Sequence, residues 1–349
     1  MKLKKLNFKE WNAVLKKFTL ITPDIYYFPE YYATWQKLEQ AEAVCLYSNI
    51  EGIDFIYPFF IRPINGYDLK KKYFDIYSAY GYGGLISSIS DPIDSAVQKI
   101  NELIDKWCLD NNVVSEFIRE NRIAEFKGKY IRNAEHIKIR TNVYTNLKND
   151  LNKELSRSRK RYLNIARRSG LTYTIDNKGY YIKDFATLYY KTMKKVNASN
   201  FYFFNIDYFN LVFKLLNKKA EFIFVWQDSK PVASALCFHS GHNYIYHLGA
   251  SDPDKLFSKP NDFLFYTMMK RAQELNFRYV SFGGGTTNKP EDTLFQFKSK
   301  FGSLTYPCHI GKKIHMNSIY QKLCLEWKNR YPKLFEKFNN FVQKYQYIK

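Results

Sequence analysis

One order of elements occurs twice along this chain and constrains its fold more than any other feature. In each half, two strands flank a turn, and a third strand, a loop, a helix and a final strand follow. In the first half the pattern predicts these elements at residues 42–47, 53–62, 73–78, 92–108 and 113–118. In the second half it predicts the strands at residues 220–226, 231–238, 243–250 and 278–282, with a helix whose apolar face runs from Leu264 to Leu275. The shared order predicts two related α/β domains with mixed sheets.

The length of the chain agrees with this division, because 349 residues exceed what one core usually organises. We predict a first domain at residues 1–145, a second at 146–317 and a helical C-terminal extension at 318–349. Further helical segments are expected between residues 153 and 217, ahead of the second pattern.

Composition excludes several classes of protein. A hydrophobic content of 46% excludes a disordered chain, and no apolar run reaches the roughly 18–20 residues that cross a bilayer. Trp11, Lys16 and Lys17 interrupt the N-terminal apolar run, so we predict no signal peptide and a cytoplasmic protein. The cysteines lack the CxxC spacing of zinc sites and are expected to be free buried thiols: Cys45, Cys108, Cys237, Cys308 and Cys324.

The formal net charge of +21 suits either a nucleic acid or a small phosphate-rich substrate. The lysines are spread along the whole chain, and no nucleic-acid-binding motif accompanies them, so nucleic acid is the less favoured partner. Charge alone does not decide between the two.

Several catalytic motifs are absent from the sequence. It has no GxSxG elbow, no HExxH and no GxxxxGK loop. The histidines show no metal-ligand spacing and are expected to be structural: His136, His239, His242, His247, His309 and His315. We therefore predict no metal site.

The loop at residues 251–262 leads into a predicted helix whose first turn holds Asn261 and Asp262. A helix N-terminus presents unpaired N–H groups and the positive end of a dipole, which suit a pyrophosphate. Lys255 and Lys259 lie in the same loop. An exposed connector is an equally weighted alternative.

The segment from residue 244 to 282 resembles the core of the GNAT acyltransferases. The doubled pattern resembles the FemABX-like proteins, which carry two GNAT-like domains in tandem with a groove between them. Within that group the chain is most similar to sugar-nucleotide N-acyltransferases of the FdhC type. The stretches that carry the resemblance span most of the chain and lie at residues 56–62, 75–84, 113–119, 156–170 and 282–302.

The resemblance implies an acyl-coenzyme A donor bound by the second domain. Its pantetheine would lie between two splayed parallel strands and its pyrophosphate at the helix start. Backbone amides near residues 248–250 are the candidates for stabilising the oxyanion, and Lys298 lies where Fem-like proteins place a basic residue near the transferred group. The predicted cofactor-binding residues are Leu248, Gly249, Ala250, Ser258, Lys259, Asn261, Asp262 and Lys298.

Two departures from these families bear on the donor. The glycine-rich phosphate motif of ordinary GNAT proteins is missing from residues 256–262, and a glycine-rich loop lies in the first domain instead. It therefore stays open which half binds coenzyme A. The long charged helical hairpin of transfer-RNA-dependent Fem proteins is also missing from the sequence, which disfavours an aminoacyl-tRNA donor.

The stretch "DIYSAYGYGG", residues 75–84, combines tyrosines and glycines at the end of a predicted strand. A tight turn that covers a core edge is one explanation. The Fem-like arrangement favours another, in which glycines admit an acceptor and tyrosines stack on it. The predicted substrate-binding residues are Arg62, Ser78, Tyr80, Gly81, Tyr82 and Arg119.

The basic segment at residues 156–170 is predicted to be a helix that ends at Gly170. We expect its arginines and lysine to form a solvated face, with phosphate or membrane-surface contact as the alternative use. The charged residues are Arg157, Arg159, Lys160, Arg161, Arg167 and Arg168.

We predict an N-acyltransferase that moves an acetyl or short hydroxyacyl group to the primary amine of a dTDP- or UDP-linked deoxyamino sugar, for surface polysaccharide. Acyl carrier protein is the alternative donor. A carboxylate in the groove could take the amine proton, and Glu116 and Asp75 are the candidates. Pairing with Arg62 or Arg119 is an equally weighted role for Glu116.

Two other functions stay open. One is a Fem-type transferase that uses aminoacyl-tRNA to build peptidoglycan bridges. The other is a nonenzymatic protein that binds RNA or a membrane surface. Peripheral membrane contact and homo-oligomerisation also stay open for the enzyme.

Overall fold

The computed structural model describes residues 2–39, 41–121, 131–148, 150–151 and 155–348, and it divides into two compact units. Unit 1 comprises residues 1–139 and 308–349, and unit 2 comprises residues 140–307. The predicted first boundary at 145 lies six residues beyond the observed one. The C-terminal residues from 318 onward form part of unit 1.

Unit 1 contains a mixed sheet with helices. Its strands are β1 (Lys4–Leu6), β2 (Glu42–Ile50), β3 (Ile53–Pro63), β4 (Phe74–Tyr77), β5 (Ile86–Ser87) and β6 (Val113–Asn121). Its α-helices begin with α1 (Phe8–Leu15), α2 (Pro29–Glu39) and α3 (Asp94–Asp110).

The strands of unit 2 also pair in both parallel and antiparallel directions. Strand β7 (Glu135–Asn146) begins in unit 1 and continues into unit 2. The other strands of unit 2 are β8 (Thr172–Asp176), β9 (Ala220–Gln227), β10 (Lys230–Ser240), β11 (Asn243–Ser251) and β12 (Tyr279–Gly284). Its helices are α4 (Arg157–Arg168), α5 (Ile182–Lys195), α6 (Ile206–Leu216), α7 (Pro260–Glu274) and α8 (Thr293–Lys298). Strand β13 (Leu304–Ile314) then returns the chain to unit 1, where α9 (Asn317–Arg330) and α10 (Pro332–Phe338) follow.

The predicted duplication is present in the sheets. Strands β2 and β3 form an antiparallel hairpin in unit 1, and β9 and β10 do so in unit 2. After a third strand and a helix, β4 pairs in parallel with β6, and β11 pairs in parallel with β12. Strand β8 pairs with β9 and was not predicted, because its sequence lies inside the stretch expected to be helical.

The cores explain why the helices form where they do. Helix α3 turns Ala96, Ile100, Ile104 and Cys108 onto the sheet of unit 1. Helix α7 is apolar over most of its surface and buries Leu264, Phe265, Met268, Met269 and Ala272 in unit 2. Residues of α9 and the C-terminal segment form a further cluster with β6 around Trp327 and Tyr345.

The five cysteines are free, and all except the half-buried Cys324 are buried. In the part of the chain that the structure describes, no helix combines the length and the apolar character that crossing a membrane requires.

Candidate functional site

The parallel strands β11 and β12 of unit 2 pair only at their starts. Their register runs from Asn243–Tyr279 to Ile245–Ser281. Beyond this point β11 continues along β10 to Ser251, whereas Gly283 and Gly284 of β12 pair with β7. The two strands therefore diverge, and alternate N–H groups of β11 are left facing the gap.

A β-bulge lies on β11 at the start of this gap. Leu236 of β10 pairs with Leu248, but the next residue, Cys237, pairs with Tyr246, so that His247 is an extra residue. The ring of Tyr246 folds over Gly249, where a Cβ atom would lie 1.5 Å from the phenol oxygen. Only glycine is compatible with this packing. The predicted oxyanion-binding residues Leu248, Gly249 and Ala250 thus follow a bulge at the diverging end of the strand.

Lys298 lies between the diverging strands. Its Nζ donates a 2.8 Å hydrogen bond to the carbonyl oxygen of Gly284 on β12 and is 5.3 Å from the ring centre of Tyr246 on β11. The side chain is buried. Burial and, to a smaller extent, the cation of Arg140 lower the pKa of Lys298 to about 7, while the carboxylate of Asp292 opposes the shift. A buried amine with this pKa can both accept and donate a proton near neutral pH.

Asp292 fixes the loop that precedes α8, the helix that carries Lys298. Its Oδ2 accepts hydrogen bonds from the backbone N–H and the hydroxyl of both Thr286 and Thr287, and its Oδ1 caps α8 at Phe295 N. A Cβ atom on Gly285 would lie 2.4 Å from Asp292 Oδ1, so the close approach of this loop requires glycine. The hydrogen bonds outweigh the effect of burial and keep the pKa of Asp292 well below its usual value.

The N-terminus of α7 follows β11 through a 3₁₀ turn at Pro253–Ser258. Lys259 precedes the helix in the left-handed conformation, with φ +60°, and its Nζ is 4.8 Å from the ring centre of Tyr162. The amide of Asn261 donates to Ser251 Oγ at 3.3 Å, and the buried Ser258 hydroxyl donates to the carbonyl oxygen of Lys255. Pro260 at the first helical position carries no N–H group, so fewer donors face an anion here than at most helix starts.

Asp262, in the first turn of α7, is bound by Arg159 of α4. Both side chains are buried, and Arg159 Nη1 contacts Asp262 Oδ1. The guanidinium also lies 4.5 Å from the ring centre of Tyr162. The predicted solvated face of α4 is therefore wrong at Arg159, because this side chain is directed inward to neutralise a buried carboxylate. The role of Asp262 in donor binding stays a prediction.

In unit 1, Glu116 is the centre of a buried network. It accepts hydrogen bonds from Tyr57 OH at 2.6 Å, from Nε and Nη2 of Arg132 at 2.9 and 2.7 Å, and from His315 Nε2 at 2.9 Å. Burial alone would raise the pKa of Glu116, but Arg132 and His315 hold it well below its usual range. Its ionic partner is thus neither Arg62 nor Arg119, and these contacts argue against a base role for Glu116.

Cys108 Sγ, a carboxylate oxygen of Glu116 and a ring nitrogen of His315 all lie within 4.8 Å of one another. Three such atoms are close enough to bind one cation. Arg132 already supplies a positive charge to the carboxylate. The geometry therefore carries no argument for a metal.

Asp75, the other predicted base, is also buried and is bound to the C-terminal segment. Its Oδ1 accepts hydrogen bonds from Tyr345 OH and Ser115 Oγ, and its Oδ2 accepts one from Gln346 Nε2. Burial raises the pKa of Asp75 above its usual value. The Nη2 of Arg62 donates to Gln343 Oε1 in the same C-terminal segment.

The tyrosine–glycine stretch packs against aromatic side chains near α2. Tyr80 lies 5.2 Å from Trp35, and Tyr82 lies 5.3 Å from Tyr26, between ring centres. Gly81 has φ +98°, and a Cβ atom there would lie 2.3 Å from the Tyr26 ring. Ser78 Oγ accepts from the backbone N–H of Arg119. Packing alone thus accounts for this conformation, and the acceptor role of these residues stays a prediction.

Several residues of the site were not identified from the sequence. Tyr246, Asp292 and Arg140 surround Lys298, and Arg159 binds Asp262. The succession of three glycines and two threonines before Asp292 was a usable signal, because small residues permit a loop to wrap around a capping carboxylate.

Residues 150–298 match the family model described as "Acetyltransferase (GNAT) domain". The matched segment contains the bulged strand β11, helix α7, strand β12 and Lys298. No curated protein matches the chain. The match supports the predicted acyltransferase, and GNAT domains use acyl-coenzyme A as donor.

The fold is similar to that of FemX, with a TM-score of 0.69 and 15% identity over 92% of this chain and 99% of FemX. It is also similar to L-PGS from Bacillus licheniformis, with a TM-score of 0.54 and 12% identity over 90% and 93% of the two chains. A third similar structure is the C-terminal domain of a putative lysylphosphatidylglycerol synthetase from Agrobacterium fabrum, with a TM-score of 0.52 and 12% identity over 93% and 97%. The predicted α/β fold with GNAT architecture is confirmed.

Proposed function

We propose that this protein is an N-acyltransferase whose reaction takes place in unit 2, between the diverging ends of β11 and β12. The observation that carries the proposal is the buried Lys298, held between Gly284 of one strand and Tyr246 of the other. Burying an amine costs free energy and lowers its pKa, and groups with perturbed pKa values concentrate at functional sites.

The donor in this proposal is an acyl thioester of coenzyme A. The N–H groups on the free edge of β11 suit the amides of pantetheine, because they are the groups that a neighbouring strand would otherwise bind. Lys259 and the first turn of α7 suit the pyrophosphate. The residues fit the donor, although Pro260 removes one N–H group and the carboxylate of Asp262 is tolerable only because Arg159 neutralises it.

The chemistry follows from these positions. The amine nitrogen attacks the thioester carbonyl carbon, and the new C–N bond forms as the oxygen takes negative charge. Backbone N–H groups beyond the bulge at His247 stabilise this oxyanion. Neutral Lys298 accepts the proton of the attacking amine, directly or through water, and then returns it to the departing thiolate as the C–S bond breaks. The products are an amide and free coenzyme A.

The acceptor in this proposal is a dTDP- or UDP-linked deoxyamino sugar. Unit 1 contributes the observation that favours it, since Arg62 lies 4.7 Å over the ring of Tyr77 and the carboxylate of Glu39 accepts a hydrogen bond from that phenol. Arginines beside aromatic faces suit phosphate and base or sugar groups. Surface polysaccharide is the corresponding product class.

A Fem-type reaction is the second candidate. FemX and the putative lysylphosphatidylglycerol synthetase are similar in fold, and the name of the latter points to a lysyl group and a phospholipid rather than to a nucleotide sugar. The same Lys298 chemistry would serve an aminoacyl ester, with a ribose hydroxyl as the leaving group. The two candidates therefore differ in donor and not in the reacting lysine.

The test is thiol release from acetyl-coenzyme A in the presence of dTDP- and UDP-linked amino sugars, with aminoacyl-tRNA as the competing donor. We expect thiol release only when an amino sugar is present, and a product whose mass has increased by one acetyl group. Transfer from aminoacyl-tRNA without binding of coenzyme A would replace our proposal with the Fem-type reaction. The role of Lys298 is tested with the variant Lys298→Met. Its matched control is Lys300→Met, because Lys300 lies two residues away and is exposed.

A further inference from the structure

Unit 2 exposes large apolar side chains at two neighbouring points. Val196 and Phe201, which follow α5, are 60% and 55% exposed, and Phe257, in the turn before α7, is 66% exposed. Tyr202 is also exposed. Isolated exposed apolar residues are ordinary, but a group of aromatic side chains at loop tips indicates a surface that meets something other than water.

The two points are fixed to each other by polar contacts. Lys191 of α5 donates to Asp252 at 2.7 Å and to Asp254 at 3.0 Å. Thr192 Oγ1 donates to the carbonyl oxygen of Ser251 and accepts from its N–H. The end of α5 is therefore bonded to the segment that leads to Phe257, so the two apolar points lie on elements that are joined to each other.

The exposed ring of Phe201 packs against neighbouring aromatic rings. Phe201 lies 6.0 Å from Phe204 and 5.3 Å from Tyr202, between ring centres. Phe204 is buried, and its carbonyl oxygen accepts a hydrogen bond from Tyr190. Two residues beyond the end of α5, Asn197 adopts the left-handed conformation with φ +48°, which turns the chain out of the helix.

Lysines accompany these side chains. Lys194 and Lys195 are exposed in the last turn of α5, directly before Val196. From residue 182 to residue 219 the chain carries seven lysines and two aspartates. We name the group of Lys194, Lys195, Val196, Phe201, Tyr202 and Phe257 the aromatic–lysine surface.

We propose that the aromatic–lysine surface docks this protein onto a bilayer that contains anionic phospholipids. Aromatic rings enter the boundary between headgroups and acyl chains, while lysines beside them attract the anionic headgroups. A protein partner fits less well, because lysine is depleted from the buried centres of protein interfaces. The proposal does not depend on the acyl-transfer reaction proposed above.

The test is co-sedimentation of the full chain with vesicles. We expect binding to equimolar phosphatidylcholine and phosphatidylglycerol, little binding to phosphatidylcholine alone, and loss of binding as salt is raised. Lys194→Glu/Lys195→Glu should weaken the partition by about tenfold or more, given the attraction of each lysine to an anionic surface. Phe201→Ser/Phe257→Ser should weaken it by a similar factor, because each ring loses apolar contact with the lipid.

Matched controls separate this surface from total charge and total apolar area. Lys70→Glu/Lys72→Glu makes the same change in net charge in unit 1, and Leu325→Ser removes a side chain that is 63% exposed on α9. Both controls should bind vesicles like the unchanged protein, and all variants should keep its melting temperature.

Three results would overturn the proposal. Equal binding to neutral and anionic vesicles would remove the role of the lysines. Variants of the aromatic–lysine surface that bind as well as the controls would place membrane contact elsewhere. Self-association of the unchanged protein that Phe201→Ser/Phe257→Ser abolishes would assign the surface to a second copy of the chain.

Discussion

Lys298 Nζ donates a hydrogen bond of 2.8 Å to the carbonyl oxygen of Gly284, so that an amine from α8 is held at the diverging end of β12. A carbonyl acceptor is compatible with both the neutral and the protonated amine, since each retains N–H donors. The bond therefore fixes the position of the nitrogen through a proton-transfer cycle.

The first prediction concerns this lysine. Lys298→Met should lower kcat by about 10²–10⁴, the usual contribution of a positioned acid or base, with a smaller effect on the KM for acyl-coenzyme A. Because the pKa of Lys298 is about 7, the unchanged enzyme should gain kcat/KM as pH rises toward that value and then level off. The steady-state rate of thiol release, followed from pH 5.5 to 9 (on the order of two units either side of 7), measures this rise in kcat/KM and its plateau.

Lys300→Met should retain both the rate and its pH dependence. A Lys298→Met enzyme with full turnover would rule out proton transfer by this lysine. A raised KM for acyl-coenzyme A with kcat unchanged would instead return Lys298 to the donor-binding role expected from the sequence.

The second prediction concerns Asp292, which positions Lys298 without contacting substrate. Asp292→Asn keeps the size of the side chain but replaces one acceptor oxygen by a donor that faces the N–H groups of Thr286 and Thr287. We expect a loss of stability of about 2 kcal/mol and a lower kcat. Because the pKa of Asp292 is depressed in the folded chain, its contribution is present at neutral pH and is lost as pH falls below about 4.

Urea unfolding at pH 7 and at acid pH measures this stability, and the pH profile of kcat/KM shows whether the environment of Lys298 has changed. A purely structural Asp292 would leave the apparent pKa near 7. We expect that pKa to move downward, because Asp292→Asn removes the negative charge that favours the protonated form of Lys298.

The third prediction concerns Arg159 and Asp262. Each single variant, Arg159→Met or Asp262→Asn, leaves a buried group without its ionic partner and should lose about 3–5 kcal/mol of stability. The double variant should be more stable than the sum of the two losses predicts, because neither charge remains. Additive losses in urea unfolding would show that the two residues act independently. Arg168→Met, on the exposed side of α4, is the control.

Much of the fold could be predicted because alternation and helical periodicity report which side of an element is buried. The hairpins, α3, α7 and the order of elements were found in this way. Strand β8 was missed because its sequence lies inside the stretch that was expected to be helical. Gly170 was predicted to end α4 and has φ +71°, as a left-handed stop requires.

The site was harder to predict because burial of charge depends on residues far apart in the chain. Nothing in the neighbours of Arg159 separates it from the exposed arginines of α4, since the cause is Asp262, about a hundred residues later. Likewise, the partner of Glu116 is Arg132, and no local pattern selects it over Arg62 or Arg119. Lys298 was identified through a resemblance, but its burial came only from the packing of Tyr246 and Gly284.

The last prediction separates the two roles of Glu116. If Glu116 serves to neutralise Arg132, then Glu116→Gln leaves a buried guanidinium whose remaining ionic partner, among the residues that the structure describes, is the half-exposed Asp105. The variant should lose about 3–5 kcal/mol of stability. Arg132→Met should lose a comparable amount, because it strands the carboxylate instead. Both variants should keep kcat when assayed well below their melting temperatures.

The pH dependence gives a second readout for the same residue. The pKa of Glu116 is depressed in the folded chain, so its stabilising contribution is complete above the unfolded value of about 4.3 and disappears as pH falls toward the folded value. The unchanged protein should therefore lose stability below about pH 4.3 more steeply than Glu116→Gln, which has no carboxylate to protonate. Melting temperatures from acid to neutral pH measure the difference. A Glu116→Gln protein that melts normally but has lost turnover would restore the base role expected from the sequence and remove it from Lys298.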